Sequence, residues 1–166
     1  MKHSLLRKTS IAGLLFYLLT GSVWAQDYRL TSPDGKLNIN ICTEKALTWS
    51  IEQQGDTVIL PSAIALKIRE DRPNGTETTW GNPAKVSKAS EKEIQTSFST
   101  PFYKRTVVKD QYNQLLLKCK GGYSIEFRAY DDGAAYRFIL EQRKPMLIEQ
   151  ETAEFNFTAD HQAFIP

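Results

Sequence analysis

The sequence predicts an all-β fold in which two antiparallel sheets stack as a β-sandwich. Apolar and polar residues alternate with period two through most of the chain, which is typical of strands that are buried on one side. Almost no segment carries the 3.6-residue periodicity of an amphipathic helix. Because many short strands bury their apolar sides most readily face to face, two stacked sheets are expected rather than one exposed sheet.

The first strands are marked by alternating apolar residues. Segments 37–41 and 47–51 each place three apolar side chains on one face of a strand. A further strand is expected over 57–60 and should end at Pro61, because proline lacks the N–H that a central ladder needs. Alternation resumes over 64–69.

The middle of the chain is more polar. Residues 71–83 contain Arg-Pro-Asn-Gly-Thr-Glu and Gly-Asn-Pro on either side of Trp80, a composition that predicts an exposed loop. The charged stretch 85–93 is either a strand at a sheet edge or a short irregular segment, and alternation returns over 94–98.

The C-terminal half supplies the longest predicted strands, over 106–119 and 123–142, followed by another over 146–157. The second of these contains a tight hairpin turn at Asp132 and Gly133. The backbone adopts positive φ cheaply at Asp-Gly, and the resulting primed turn matches the right-handed twist of the flanking strands.

Residues 1–25 are interpreted as a cleavable secretory signal peptide. Basic residues precede an apolar run over 11–19, and Val-Trp-Ala ends the segment, so that cleavage is expected before Gln26. The apolar run is short for a bilayer span, and an uncleaved anchor is the alternative. The mature chain, 26–166, is expected to form one domain in the periplasm or outside the cell, without membrane attachment after cleavage.

Composition argues against nucleic-acid and metal binding. Subtracting the leader's three basic residues from 21 leaves 18 Lys and Arg against 19 Asp and Glu, without a clustered basic face. Cys42 and Cys119 can form a disulfide only if their Cα atoms lie within about 7 Å, and two separate buried thiols are the favoured interpretation. His161 is the sole histidine of the mature chain, so no metal site is predicted.

Four short segments, taken in their order along the chain, match the motifs of one known family. They are Ser-Pro-Asp-Gly-Lys-Leu at 32–37, Tyr-Asn-Gln-Leu at 112–115, Ala-Tyr-Asp-Asp-Gly-Ala-Ala-Tyr-Arg-Phe at 129–138 and Ala-Phe-Ile-Pro at 163–166. In this order they resemble motifs of the N-terminal domain of glycoside hydrolase family 97, which comprises bacterial α-glucosidases and α-galactosidases. Gln114 stands where that family usually has Glu, and Phe164 stands where it usually has Trp.

The resemblance implies a galactose-mutarotase-like super-sandwich, incomplete at its C-terminus because the family's sandwich continues beyond such a proline. It also implies that the catalytic carboxylates and most calcium-binding glutamates belong to a β/α barrel outside this chain. No catalytic residue is therefore assigned, and neither calcium nor another cofactor is expected in this chain. The family-motif residues of the hairpin are Arg128, Tyr130, Asp131, Asp132, Gly133, Tyr136 and Arg137.

Glycoside hydrolysis needs two carboxyl groups facing each other, about 5–10 Å apart. Asp131 and Asp132 are adjacent at a turn and are explained by turn chemistry. Arg128 and Arg137 flank that turn and are interpreted as cross-strand partners of Asp131 or Glu126. A second acidic stretch is interpreted as a solvated strand face: Glu149, Glu151 and Glu154.

Aromatic rings stack on the apolar faces of sugars, so exposed aromatic residues are candidates for carbohydrate binding. Trp80 in its predicted loop, together with Phe102 and Tyr103, is the candidate platform. Packing in the core, or against the absent barrel, is the alternative for each of them. Trp49 lies on an alternating strand and is assigned to the core.

The leading hypothesis is a secreted, non-catalytic β-sandwich domain of an α-glycosidase. Such a domain would pack on a catalytic barrel, help to shape its pocket and encounter α-linked oligosaccharides, without hydrolysing them alone. The alternatives are a free-standing periplasmic carbohydrate-binding protein and a gene fragment whose product folds poorly.

Overall fold

The computed structural model describes residues 27–101, 106–141, 144–160 and 162. The predicted leader, the stacking candidates Phe102 and Tyr103, and the motif at 163–166 lie outside the described residues. Their assignments stay predictions. Among the described residues there is no helix of the length and apolar character needed to cross a membrane.

Eleven strands make up the regular structure of the described residues: β1 (Asp27–Thr31), β2 (Leu37–Cys42), β3 (Thr48–Gln53), β4 (Asp56–Glu70), β5 (Glu77–Trp80), β6 (Val86–Ser99), β7 (Val107–Cys119), β8 (Tyr123–Tyr130), β9 (Gly133–Leu140), β10 (Met146–Ala153) and β11 (Asn156–Phe157). The larger sheet has the order β1-β2-β3-β4-β10, and β5 and β11 also pair with β4. The smaller sheet has the order β6-β7-β8-β9. All pairings are antiparallel, which confirms the predicted all-β sandwich.

The core lies between the two sheets. Ile39 and Trp49 of the larger sheet are buried with Leu117, Ile125 and Phe127 of the smaller sheet, and the core assignment of Trp49 is confirmed. Fully burying a side chain of this size stabilises the fold by about 1.5–3 kcal/mol relative to leaving it exposed. The sandwich therefore depends on the alternation that the sequence displays.

β4 runs through Pro61, and the prediction that this residue ends a strand is wrong. The register between β3 and β4 shifts on both sides of Ile51, so Pro61 falls at an irregularity where a ladder N–H is not required. The carbonyl oxygen of Pro61 instead accepts a hydrogen bond from Asn156 Nδ2 at 3.1 Å. The first half of β4 pairs with β3, and its second half pairs with β5 and β10.

The predicted loop over 71–83 contains a strand, and this prediction is also wrong in part. β5 pairs with β4, with Trp80 opposite Leu66, and Trp80 is only 2% exposed. The burial of a large apolar side chain overrides the turn-rich local composition. All of the charged stretch 85–93 except its first residue belongs to β6, which pairs with β7 alone in the described part of the chain and thus lies at a sheet edge.

The β8–β9 hairpin is present, but its turn differs from the prediction. Tyr130 pairs with Gly133, so the two central residues of the turn are Asp131 and Asp132. None of the residues Asp131, Asp132 and Gly133 has positive φ, which excludes a primed turn. Glycine after the two central residues is instead favoured in type I turns, which need no positive φ.

The two cysteines are separate free thiols, as favoured from the sequence. Cys119 is buried, whereas Cys42 is only half-buried. Burial raises the pKa of the Cys119 thiol, with a smaller opposing effect of its hydrogen bond with Tyr123. A buried thiol with a raised pKa is a weak nucleophile, so Cys119 behaves as a core residue.

Candidate functional site

An ion cluster built around a buried glutamate lies at the centre of the motif hairpin. Glu126 of β8 is directly opposite Arg137 of β9, and its Oε2 accepts a hydrogen bond from Arg137 Nη2 at 2.8 Å. Arg128 Nε donates to the other carboxylate oxygen. Only 5% of the Glu126 side chain is exposed, against 59% for Arg137. The predicted cross-strand pairing is confirmed for Arg137, with Glu126 as the partner, whereas Arg128 pairs with Glu126 along the same strand, β8.

The two arginines keep Glu126 ionised. Burial by itself raises the pKa of the Glu126 carboxyl, but the hydrogen bonds from Arg137 and Arg128 outweigh it, and the net pKa is lowered. Burial would lower the pKa of Arg128, and its hydrogen bonds with Tyr130 and Glu126 raise it instead. An ionised carboxylate whose two oxygens are engaged accepts hydrogen bonds and is a poor proton donor at neutral pH.

Two tyrosines extend this cluster along the outer face of the smaller sheet. The guanidinium carbon of Arg128 lies 4.6 Å from the ring centroid of Tyr112, within cation–π range. The ring centroids of Tyr112 and Tyr130 are 4.9 Å apart. Tyr112 is buried, and Arg137 stays largely in solvent. β7 and the hairpin thus hold a cluster of aromatic and cationic side chains on the face away from the core, in which Arg137 is largely exposed.

The hairpin turn is tied to the motif turn near the N-terminus. The backbone N–H of Asp34 donates to Asp131 Oδ1 at 2.9 Å. The Asp34 carboxylate itself accepts hydrogen bonds from Ser32 Oγ and the Lys36 N–H, at 2.7 and 3.1 Å, which lower its pKa to about 2. Asp131 therefore acts as a tie between two turns, whereas Asp132 is exposed at the tip.

Beside the hairpin is an open space of about 600 Å³, here called the aromatic cleft, between β9 and the β4 and β10 side of the larger sheet. Its aromatic lining consists of Trp49, Tyr136, Phe138 and Phe155. The Trp49 ring meets Tyr136 and Phe155 edge to face, with centroid distances of 5.2 and 5.7 Å. Trp49 Nε1 is buried and has no hydrogen-bond partner in the described part of the chain.

Sequence reasoning named Tyr136 only as a motif residue and missed the cleft. Phe155 is half exposed, and its place beside Trp49 depends on β10 and β11 lying next to β4. Alternation alone shows that 146–157 is a strand region, but it carries no information on sheet order. The only available signal was that Phe155 and Phe157 fall on one side of a segment rich in charge.

Trp80 does not reach an open surface. Its ring stacks on Tyr123 with centroids 4.6 Å apart and an interplanar angle of 11°. Tyr123 Oη accepts a hydrogen bond from the Gly81 N–H at 3.1 Å, and burial raises the pKa of Tyr123 to about 12. Because Trp80 is buried under Tyr123, it offers no free ring face to a sugar, which corrects the predicted platform at this residue.

The three glutamates of the acidic stretch make separate contacts rather than forming one group. Glu149 bonds Arg69 at 2.7 Å and Lys67 at 3.4 Å, which lowers its pKa through the Arg69 hydrogen bond first. Glu154 accepts a hydrogen bond from the Ala63 N–H at 3.0 Å, and Glu151 lines the aromatic cleft. Across the described ranges, no three His, Cys, Asp or Glu side chains are grouped as metal ligands would be.

Comparisons with known proteins agree with this fold and these motifs. The model of the family described as "Glycosyl-hydrolase 97 N-terminal" matches residues 30–166. A retaining alpha-galactosidase from Bacteroides thetaiotaomicron is 37% identical over 154 residues, which cover 92% of this chain and 22% of that protein. The chain thus spans about a fifth of the length of this relative.

Solved structures also match this chain over only about a fifth of their own length. A glycoside hydrolase family 97 enzyme from Pseudoalteromonas sp. strain K8, in complex with panose, superposes with a TM-score of 0.64 at 26% identity, over 79% of this chain and 20% of the enzyme. The same enzyme in complex with acarbose gives the same values. A beta-arabinopyranosidase at 23% identity and a TM-score of 0.66 shares the fold over 80% of this chain and 21% of its own.

Proposed function

The chain belongs to the glycosyl-hydrolase 97 N-terminal family, and from that premise we propose that it is a non-catalytic β-sandwich domain of a secreted α-glycosidase. In this role it packs on a catalytic domain and helps to shape the pocket that receives an α-linked oligosaccharide. The proposal rests on how small a part of a longer enzyme this chain matches: 92% of this chain aligns with only 22% of a retaining alpha-galactosidase. The larger, unaligned part of such an enzyme can therefore contain the side chains that carry out hydrolysis.

The geometry of the hairpin supports a structural role. Glu126 is the buried carboxylate of the motif region, and both of its oxygens are held by arginines. Asp131 is engaged with the Asp34 backbone. Tyrosine and arginine are enriched at protein interfaces, which suits the outer face of the hairpin to contact with a neighbouring domain.

The non-catalytic role is tested by assaying the purified chain on p-nitrophenyl α-galactoside and p-nitrophenyl α-glucoside, with and without calcium. We expect no turnover above that of the heat-denatured chain. The Bacteroides relative serves as the positive control. Hydrolysis by this chain alone would reject the proposal.

The packing role is tested with a chimaera. The aligned region of the Bacteroides alpha-galactosidase is replaced by this chain, and a second protein lacks the region altogether. We expect the deletion to abolish folding or hydrolysis and the chimaera to retain measurable kcat/KM. A chimaera as inactive as the deletion would contradict the proposal.

Calcium and location follow as further parts of the proposal. We expect the isolated chain to give no saturable heat on calcium titration, because its described carboxylates are dispersed among salt bridges and backbone contacts. Export with removal of the leader should give a periplasmic or secreted product whose N-terminal residue is Gln26, as read by mass spectrometry. Saturable calcium binding or a cytoplasmic, uncleaved product would contradict these parts.

A second candidate function, a free-standing carbohydrate-binding protein, is favoured by the aromatic cleft. Phe155 is 50% exposed there, and ring faces with nearby polar groups suit sugar binding. Titration with maltooligosaccharides should then shift the fluorescence of Trp49 in a saturable way, and Phe155→Ala should abolish the shift. Phe157→Ala, which alters an exposed phenylalanine outside this cleft's lining, is the matched control.

A further inference from the structure

β6 and β7 extend beyond the other two strands of the smaller sheet. β7 pairs with β6 from Val107 to Cys119, but it pairs with β8 only from Asn113 onwards. Residues 94–99 and 107–112 therefore form a two-stranded ribbon in the described part of the chain, here called the arm. At about 3.3 Å per residue, the arm reaches roughly 20 Å beyond the region where β7 and β8 pair.

The arm has one apolar face and one polar face. The register of β6 with β7, together with the side-chain period of two, places four large apolar side chains on the same face. These residues are Ile94, Phe98, Val108 and Tyr112. Thr96 and Asp110 are the polar residues of that face, whereas the opposite face carries Gln95, Ser97, Ser99, Val107, Lys109 and Gln111. The arm is therefore an amphipathic ribbon.

The apolar face of the arm continues the outer face of the smaller sheet. Tyr112 belongs to both, because its ring centroid lies 4.9 Å from that of Tyr130 and 4.6 Å from the guanidinium carbon of Arg128. Tyr112 is buried at the base of the arm, but Phe98 is 52% exposed further out. A two-stranded hairpin is at best marginally stable in water unless one face is packed. The apolar face of the arm is thus suited to packing against a partner.

Three turns lie at the end of the sandwich from which the arm projects. Asn113, next to the arm, pairs with Ala129 just before the hairpin turn. The hairpin turn is hydrogen-bonded to the turn between β1 and β2. That turn is joined in its own sheet to the turn between β3 and β4, where the Gln54 N–H donates to the Lys36 carbonyl at 2.8 Å.

The last described residues run towards the same end. β11 is antiparallel to β4, with Phe157 opposite Ile59, so the chain after Phe157 approaches the start of β4. Residues 158–160 line an open space there together with Thr57 and Val58. In a longer family member, the sequence that follows this N-terminal region therefore continues from the end at which the arm projects.

We propose that the arm docks by its apolar face on an apolar surface of the catalytic domain in such an enzyme, with Phe98 as the anchor. The inference rests on the proposed function and deepens it, because it names the element that joins the two domains. An aromatic side chain that loses its water in a packed interface contributes more to binding than most of its neighbours. The polar face of the arm, with Ser97 and Lys109, stays in solvent.

The test compares the full chain with the chimaera in which this chain replaces the aligned region of the Bacteroides alpha-galactosidase. Amide hydrogen exchange is measured by mass spectrometry on peptides that span 94–99 and 107–112. A ribbon without a packed face opens readily, so we expect exchange in these peptides to be at least about tenfold slower in the chimaera. Peptides of β5, on the far half of β4, are the internal control and should exchange equally in both proteins.

Two variants make the test specific to the apolar face. Phe98→Asp and Ser97→Asp add the same charge at exposed neighbouring positions of β6, on opposite faces of the arm. In the chimaera, Phe98→Asp should return the arm to the fast exchange of the isolated chain and shorten the half-life of activity on heating about tenfold. Ser97→Asp should change neither. In the isolated chain the two variants should unfold at the same urea concentration.

Equal exchange of the arm in the chimaera and in the isolated chain would overturn the inference, and so would equal behaviour of the two variants. Protection of the arm that rises with the concentration of the isolated chain would identify a second copy as the occupant and would also overturn it. An active chimaera with any of these results would leave the proposed function standing. A chimaera as inactive as the deletion would reject the proposed function, and the inference with it.

Discussion

The backbone N–H of Asp34 and the carboxylate of Asp131 are 2.9 Å apart, although 97 positions separate them along the chain. This hydrogen bond joins the turn between β1 and β2, in the larger sheet, to the hairpin turn of the smaller sheet. Two motifs that are remote in sequence therefore meet at one end of the sandwich.

Asp131→Ala should lower the free energy of unfolding by about 1 kcal/mol, because the Asp34 N–H loses its acceptor at an exposed site where water partly replaces it. Asp131→Asn retains an acceptor oxygen and should cost less than half as much. Urea unfolding of both variants at pH 7 measures the difference. Equal losses for the two variants would show that the charge, rather than the hydrogen bond, matters.

Glu126→Gln should destabilise the fold by about 2–3 kcal/mol at pH 7, because it leaves two guanidinium groups against a neutral amide at a buried position. Glu149→Gln, at an exposed ion pair that solvent screens, should cost much less and serves as the control. Urea unfolding measures both losses. Similar losses for the two variants would contradict the importance assigned to Glu126.

The ion pairs of Glu126 with its two arginines also predict how the stability of the fold depends on pH. The folded-state pKa of Glu126 is lowered, so its ionised form stabilises the fold above the unfolded-state pKa of about 4.3, and this contribution is lost as the pH falls through the lower folded value. The difference in unfolding free energy between the unmodified chain and Glu126→Gln should therefore be constant above about pH 5.5 and shrink below about pH 4. A difference that grows on acidification would have the wrong sign.

Two glycines should respond oppositely to alanine. Gly81 has φ +87°, and an added Cβ would lie 2.7 Å from the Ile64 carbonyl oxygen, so Gly81→Ala should cost about 3 kcal/mol. Gly133 belongs to the family motif, yet its φ is not positive and an added Cβ would meet nothing within 4 Å. Gly133→Ala should be neutral or stabilise by up to about 0.5 kcal/mol in thermal unfolding, and a loss above 1 kcal/mol would contradict this turn geometry.

Trp80→Ala should destabilise the fold by about 3–5 kcal/mol, since it removes a buried ring stacked on Tyr123. Tyr123→Phe keeps the stack and leaves the Gly81 N–H without its acceptor, at a cost of about 1–3 kcal/mol. Differential scanning calorimetry measures both. An unchanged Tm for Trp80→Ala would indicate an exposed ring and restore the predicted sugar platform at this position.

The local sequence pattern was sufficient to predict most strands, because side-chain alternation in a strand depends only on neighbouring residues. The pairing of Glu126 with Arg137 was predictable for the same reason, since a tight hairpin brings its flanking residues into register. Trp49 likewise fell on an apolar face and is buried.

Other features depend on tertiary contacts, which the local sequence pattern does not show. Pro61 lies inside a strand because the ladder with β3 is irregular there, and Trp80 is buried because Tyr123 lies opposite its ring. The aromatic cleft depends on Phe155 reaching Trp49 across the sheet order β3-β4-β10. Neither sheet order nor the partner of a ring is encoded in period-two alternation.

β4 pairs with β3, which is synthesised just before it, and with β10 and β11, which are synthesised at 146–157. One side of this 15-residue strand consequently has no native partner until nearly all of the described chain has left the ribosome. Translation that pauses before residue 146 should leave a nascent chain that depends on chaperones, because nine of the eleven described strands are then synthesised while one side of β4 is still open to wrong neighbours.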